Sequence, residues 1–285
     1  MYIVNANNYQ QFLMEAGQHR HPQTGEPCGR GLFPADQPRE DGRMKAGFGK
    51  APYASPMAQM DLIPPEAWPD LIAKKDRDNS WLVDKVGTDV PCTDQNGLSY
   101  CWVFCTKQAM EVARRIQNHP YESLSAVSVG GPINNWRNAG GWPQDAIQRW
   151  AEIGGCRESL TAGPWSLRPS TWDKNWEADC PNFKLCEWDD GSFDTASLRW
   201  QAQVTLTLKS RPHTLEFTWW SHAIGGGYKA KNLGNGKVAL LMRNNWGEWG
   251  ETVNGGTGYV WMESDKGVSD AVYAPRFVTP YGIGA

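Results

Sequence analysis

Two amphipathic helical patterns in the middle of the chain, a run of strands behind them and an irregular stretch in front predict an α+β fold. Its parts are a helical lobe, an antiparallel β lobe and an N-terminal extension. From Trp102 to Gln117 the apolar positions Trp102, Cys105, Ala109, Val112, Ala113 and Ile116 recur at helical spacing. Beyond residue 212, "HTLEFTWW", "KVALLMRN" and "GYVWME" read as strands between glycine-rich turns. Residues 1 to about 75 hold neither period for long, and a chain of 285 residues has material for two lobes with cores of their own.

The elements follow in order. In the extension "NNYQQFLMEAG" is a short helix candidate, and "PPEAWPDLIAKK" is a second, with Pro64 and Pro65 suited to a first turn. Between them, His19 to Pro56 is rich in Pro and Gly and has no period. Such a segment builds no core alone, so it is expected to lie over the rest of the chain or over a partner. The helix from Trp102 starts near Gly97 or Ser99 and turns Lys107, Glu111, Arg114 and Arg115 to its other side. In "PQDAIQRWAEIGG" Pro143 opens a helix, Ala146, Ile147, Trp150 and Ile153 face inward, and Gly154-Gly155 stops it. A connector, "WSLRPSTWDKNW", leads to the β half, where "SLRWQAQVTLTLK" alternates strictly and so favours a strand.

A net charge of −3 offers no basic face for nucleic acid or an anionic membrane, and no run approaches the ~18 apolar residues of a membrane helix. "MYIVNANNYQQF" lacks the basic start and apolar run of a secretory signal, which points to the cytoplasm or to a particle such as a virion. The seven cysteines (28, 92, 101, 105, 156, 180 and 186) are then expected to be mostly reduced, although Cys180 and Cys186 are close enough for a local bridge. No paired C-x-x-C or H-x₃-H spacing occurs, so no metal site is expected. "WDDGSFD" at 188–194 lacks a full calcium-ligand series and reads as a turn, and "HRHP" near Cys28 reads as a solvated arm. Sixteen tryptophans imply large aromatic cores.

"TDQNGLSYCWVFC" at 93–105 carries the chemistry. Cys101 opens the strongest helical pattern, and a helix N-terminus lowers a thiol's pKa from its ordinary ~8.5. A nucleophilic thiolate also needs an imidazole to carry its proton. Of the five histidines, His222 alone follows an apolar strand and precedes small residues, as a side chain facing a cleft would. Asn244 in "RNNWGEWG" stands at a strand end to orient that imidazole, with Trp246 placed to cover the hydrogen bond. The Gln95 amide and the Cys101 backbone N–H are candidate donors for an oxyanion.

With these residues in this order the chain resembles the papain-like cysteine peptidases over roughly residues 78–265. The matching motifs are Gln95 with Cys101-Trp102, "GGWP" at 140–143, "SHA" at 221–223, "NNWGEWGE" and "GTGYVWM". The resemblance implies a two-lobed papain-like fold in which Cys101 is the nucleophile, His222 the general acid/base, Asn244 the orienter and Gln95 the oxyanion donor. It implies that Gly141 hydrogen-bonds the substrate residue two before the scissile bond and that Trp142 and Pro143 wall that residue's pocket. Gly140, Trp220, Ser221 and Trp246 complete the implied substrate-binding set, and no cofactor is required. It also implies that "SLRWQAQVTLTLK" is a helix, against its own alternation.

The chain departs from the family in four places. His222 lies only 121 residues after Cys101, against the family's ~130–150, a range that Asn244 at 143 does meet. Leu98 and Asn138 stand where the family pairs two cysteines. Tyr100 replaces a small residue and is expected to narrow the approach to Cys101. The link from Phe217 to His222 is short, with Trp219 and Trp220 in place of a loop.

The expected division is therefore an extension over 1–76 and a peptidase domain over 77–285, its helical lobe about 77–190 and its β lobe about 191–285. The expected activity is peptide-bond hydrolysis on a peptide or protein substrate. Two other readings stand beside it. One is a structural subunit of a larger assembly, docking through residues 1–76; the other is an acyltransferase or amidase on a related scaffold, which the Asn-x-Trp-Gly run disfavours. An extension lying across its own cleft would instead mark an inhibitory segment.

Overall fold

The computed structural model describes residues 2–278, and helices and strands follow one another along them as β1 (Ile3–Val4), α1 (Tyr9–Gln18), β2 (Ala54–Pro56), α2 (Trp68–Asp78), α3 (Leu82–Val86), α4 (Cys101–Ile116), α5 (Ala126–Ile133), α6 (Pro143–Glu152), α7 (Trp176–Asp179), β3 (Leu185–Asp190), α8 (Ala196–Leu208), β4 (His213–Phe217), β5 (His222–Gly234), β6 (Lys237–Arg243), β7 (Glu251–Val253), β8 (Gly256–Glu263), α9 (Ser264–Gly267) and β9 (Val272–Val278). The strands form one sheet in the order β1-β8-β6-β5-β4-β9-β3-β2, with β7 beside β8. The outermost strands, β1 and β2, come from the first 76 residues and pair in parallel with β8 and β3. Residues 1–76 thus cover both edges that the sheet would otherwise leave unpaired.

α4 starts at Cys101 itself and is buried on every side as far as Arg114. Of its polar side, read from the pattern as the opposite face, Lys107, Glu111 and Arg114 are buried and Arg115 reaches the surface. Lys107 lies 3.5 Å from Glu111 and 3.0 Å from Glu158, and Glu111 also accepts the Leu124 N–H at 2.8 Å. Buried charges of this kind are tolerated because they are paired, and stripping one partner typically costs ~3–5 kcal/mol.

Residues 197–209 correct the strand reading, because Ala196–Leu208 is helical. Thr195 caps the helix by accepting the Leu198 N–H at 3.3 Å. α8 packs on β5, and its other side takes Ile63 of the extension through Thr205 and Gln201. A helix covered on both sides shows no clean apolar stripe, so the binary pattern carries little information there.

Glycines permit the closest backbone approaches. At Gly154, after α6, φ is +93° and a Cβ would fall 2.0 Å from the Cys180 carbonyl oxygen. In "GGGY" a Cβ on Gly225 would meet the Gln108 side chain at 2.1 Å, so β5 lies directly against α4. Trp188–Asp190 of "WDDGSFD" belong to β3, and the turn begins only at Gly191. Cys28, Cys92, Cys101, Cys105, Cys156 and Cys180 are free thiols, whereas the side chain of Cys186 lies outside the described residues. Among the described residues no helix is long and apolar enough to cross a membrane.

Gly154→Ala adds a left-handed-region penalty to a backbone clash, and the expected loss of stability is ~2–4 kcal/mol. A denaturant midpoint within error of the unaltered chain contradicts this account of the turn after α6.

Candidate active site

His222 and Asn244 meet because β5 and β6 are neighbours in the sheet. A 3-10 turn at Thr218–Trp220 and a left-handed Ser221 (φ 51°) replace the missing loop and deliver His222 to the start of β5. Its Nε2 lies 2.7 Å from the Asn244 side-chain Oδ1. The Asn245 backbone N–H donates to that same oxygen at 2.8 Å, so Oδ1 faces the ring and Nε2 carries the hydrogen. Nδ1 is left as an acceptor, and it has no hydrogen-bond partner. Trp220 and Trp246 enclose the imidazole, each ring centroid 4.7 Å from it.

Asn245 was not anticipated. Its Nδ2 lies 3.4 Å from the Cys101 carbonyl and 3.3 Å from that of Ala223, tying α4 to β5 beside the thiol. The only signal for it is the second Asn of "RNNW".

Residues 28–34 of the extension run over the thiol. The Gly29 carbonyl accepts from Gln95 Nε2 at 2.7 Å and from Trp246 Nε1 at 3.1 Å, while the Gly29 N–H donates to Asn96 O at 2.6 Å. The Leu32 N–H donates to Ser221 O at 3.3 Å. Around Leu32, the Gly141 N–H donates to Gly31 O at 2.8 Å and the Phe33 N–H to Gly141 O at 3.3 Å, a parallel bridge. Leu32, Cys101, Cys105 and Ala223 form an apolar cluster of their own. The Trp142 indole N–H points to the carbonyls of Phe33 and Pro34, at 3.2 and 3.3 Å. The sequence-named residues Gln95, Cys101, Gly141, Trp142, Ser221 and Trp246 therefore all face this one segment.

The paired glycines before Trp142 have a physical reason. A Cβ on Gly140 would fall 2.4 Å from the Phe33 ring, and one on Gly141 2.8 Å from Trp102. Pro143 opens α6 behind them. Tyr100 does not narrow the approach to Cys101. It turns into the helical side, where its hydroxyl donates to Arg137 O at 2.8 Å and its ring fills the space left by Gly130. Asn138 bridges the two segments that the family joins by a disulfide, accepting the Ser99 N–H at 2.6 Å and donating to Gly97 O at 3.2 Å. His21, read as solvated, is 3% exposed and lies 2.7 Å from Asp94, anchoring the extension beside the cleft.

Cys101 and His222 are both neutral under this cover. Burial pushes the Cys101 thiol up to about 12, although the backbone amides of Ala223, Gly31 and Trp102 favour the thiolate. Burial pushes His222 down to about 3, helped by the nearby Arg30 charge and opposed by the Asn244 hydrogen bond.

Among solved structures the chain is similar to xylellain, a cysteine protease from Xylella fastidiosa, with a TM-score of 0.52, 14% identity and coverage of 82% of this chain and 98% of that one. It is similar also to the digestive procathepsin L 3 of the Tenebrio molitor larval midgut, with a TM-score of 0.52, 15% identity and coverage of 96% and 82%. No family model and no curated protein matches the chain in sequence. The likeness carries the fold, which is papain-like with mixed helices and strands.

The His222 shift sets a direction in pH. The covered form has the lower pKa, so cover over the thiol is at full strength above ~6.5, the ordinary imidazole value, and weakens as the pH falls toward about 3. From pH 6.5 to 4.5 the uncovered fraction is expected to rise roughly 50-fold by this linkage. Modification of Cys101 by dipyridyl disulfide, which stays reactive in acid, measures it by peptide mapping. A rate that is flat or falls over that interval contradicts the linkage.

Proposed function

We propose that the chain is a cysteine peptidase held latent by its own residues 28–34. The observation that carries the reading is the occupant of the cleft: a backbone segment, hydrogen-bonded where the resemblance implies a substrate, with Gln95 on its carbonyl and Gly141 along its edge. With the segment displaced, His222 Nδ1 takes the Cys101 proton, and the thiolate at the start of α4 attacks a peptide carbonyl. The oxyanion rests on Gln95 Nε2 and the Cys101 N–H. His222 returns the proton to the leaving amine, and water then hydrolyses the acyl-thioester while Asn244 keeps the imidazole in its tautomer.

Direction explains why the occupant survives. A substrate with its second residue before the scissile bond at Gly141 and its scissile carbonyl at Gln95 runs N to C from Gly141 toward Gln95. Residues 28–34 run the other way, from Gly29 at Gln95 to Phe33 at Gly141. Their carbonyls are not presented to the thiol as a substrate's would be. Burial of the extension on its own chain also takes away the motive for a docking role in an assembly.

Gly31→Ala tests the latency, since its Cβ would fall 2.0 Å from the Ser99 carbonyl oxygen and lift the segment. The full-length variant is expected to react with a thiol-directed activity probe at least ~10-fold faster than the unaltered chain at pH 7. Cys101→Ala in the same background is expected to abolish the labelling. Labelling that persists without Cys101 overturns the peptidase reading, and an unchanged rate in Gly31→Ala overturns the latency.

A further inference from the structure

A buried ion pair that takes no part in these steps lies beside the nucleophile. Glu216 on β4 stands directly opposite Ala223 on β5, so the two side chains share a face of the sheet. Ala223 belongs to the cluster of Cys101, Cys105 and Leu32, which sets the Glu216 carboxylate next to that cluster. One carboxylate oxygen, Oε1, is buried without a hydrogen-bond partner. The other pairs with Nζ of Lys45, and the two side chains are 1% and 8% exposed. The Ala46 N–H, one residue on, donates at 3.0 Å to Oε1 of Gln144, the residue that follows Trp142-Pro143. Asp270 and Asp190 add negative charge around Glu216. An ionised carboxylate this deep is tolerated only with a cation against it.

Two pieces of the extension therefore fill one space beside the thiol. Leu32 supplies apolar contact to Ala223 and Cys105, and Lys45 brings an ammonium to Glu216. One long side chain with an apolar stem and a cationic tip would make both contacts at once. Resting on the peptidase reading above, we propose that the uncovered pocket beside Trp142 and Pro143 selects a lysine or arginine side chain. Its stem lies where Leu32 lies, and its charge lies on Glu216. The substrate class is then peptides with a basic residue two positions before the scissile bond, and Glu216 determines that specificity. A leucine in the same place leaves the carboxylate buried and unpaired, and a glutamate adds like charge to it.

The test uses the full-length chain carrying Gly31→Ala at pH 7, where the Glu216 carboxyl, raised by burial, is still the charged partner the proposal needs. Peptides that differ only at that position, as Lys, Arg, Leu or Glu, are offered in competition. Lys and Arg are expected to exceed Leu in kcat/KM by at least ~10-fold, with Glu uncut. Glu216→Gln in the Gly31→Ala background is expected to lower the Lys-to-Leu ratio by at least ~10-fold. Should Glu216→Gln fail to fold, the relative rates at which lysyl and leucyl peptidyl chloromethyl ketones label Cys101 give the same comparison without it. Cleavage or labelling that favours Leu, or a ratio that Glu216→Gln leaves unchanged, overturns the specificity while the peptidase reading stands. A chain that cuts no peptide and labels with neither reagent overturns both.

Discussion

Three glycines let two backbones lie closer than any side chain allows, and the state of the site follows from that contact. A Cβ on Gly29 or Gly31 would fall 2.0 Å from the carbonyl oxygens of Leu98 and Ser99, and one on Gly140 would fall 2.5 Å from Gly31 O. Because none is present, residues 28–34 lie in van der Waals contact with the loop before α4 on one side and with Gly140-Gly141 on the other. Main-chain hydrogen bonds then hold the segment whatever its side chains are, in the manner of a strand added to an exposed edge. Side chains add what the backbone cannot: Leu32 closes over the thiol, and Arg30 reaches over the Trp246 ring, 5.8 Å from its centroid.

That cover decides the protonation of the site. A thiol at a helix start would be expected to ionise more easily than a free one. Here desolvation outweighs the backbone amides that favour the thiolate, and sulfur and ring stay neutral. Asn244 and Asn245 still set the tautomer of the imidazole without charge, leaving Nδ1 as an acceptor. The thiol is thus shielded from water by the segment that lies over it. The extension's two edge strands, β1 and β2, are not part of that contact, so the segment can lift while the sheet edges remain paired.

Much of the site was legible in the sequence because its residues stand at the ends of recognisable strands and helices. His222 and Asn244 were readable from their strand ends, and their pairing follows from the adjacency of β5 and β6. "GGWP" was readable because only glycine fits under Trp102 and Phe33. Two of the errors share one physical source, which is burial on more than one side. α8 and the charged side of α4 are covered on both faces, so patterns that assume one wet face misread them. Tyr100 was placed beside the nucleophile because nothing in the sequence says that Gly130 leaves room for its ring elsewhere. Residues 19–56 carry no period at all. Their path is set by hydrogen bonds to Asn96, Gly141 and Ser221, whose partners no local pattern could name.

The account turns on where residues 28–34 lie, and amide hydrogen exchange at neutral pH reads that directly. Segments 28–34 and 140–142 are expected to be protected together, at least ~10³-fold beyond the exposed run 40–44, and to lose protection together in Gly31→Ala. If 28–34 exchanges as fast as 40–44 while 140–142 stays protected, the segment is not in the cleft, and the explanation for the neutral thiol falls with it.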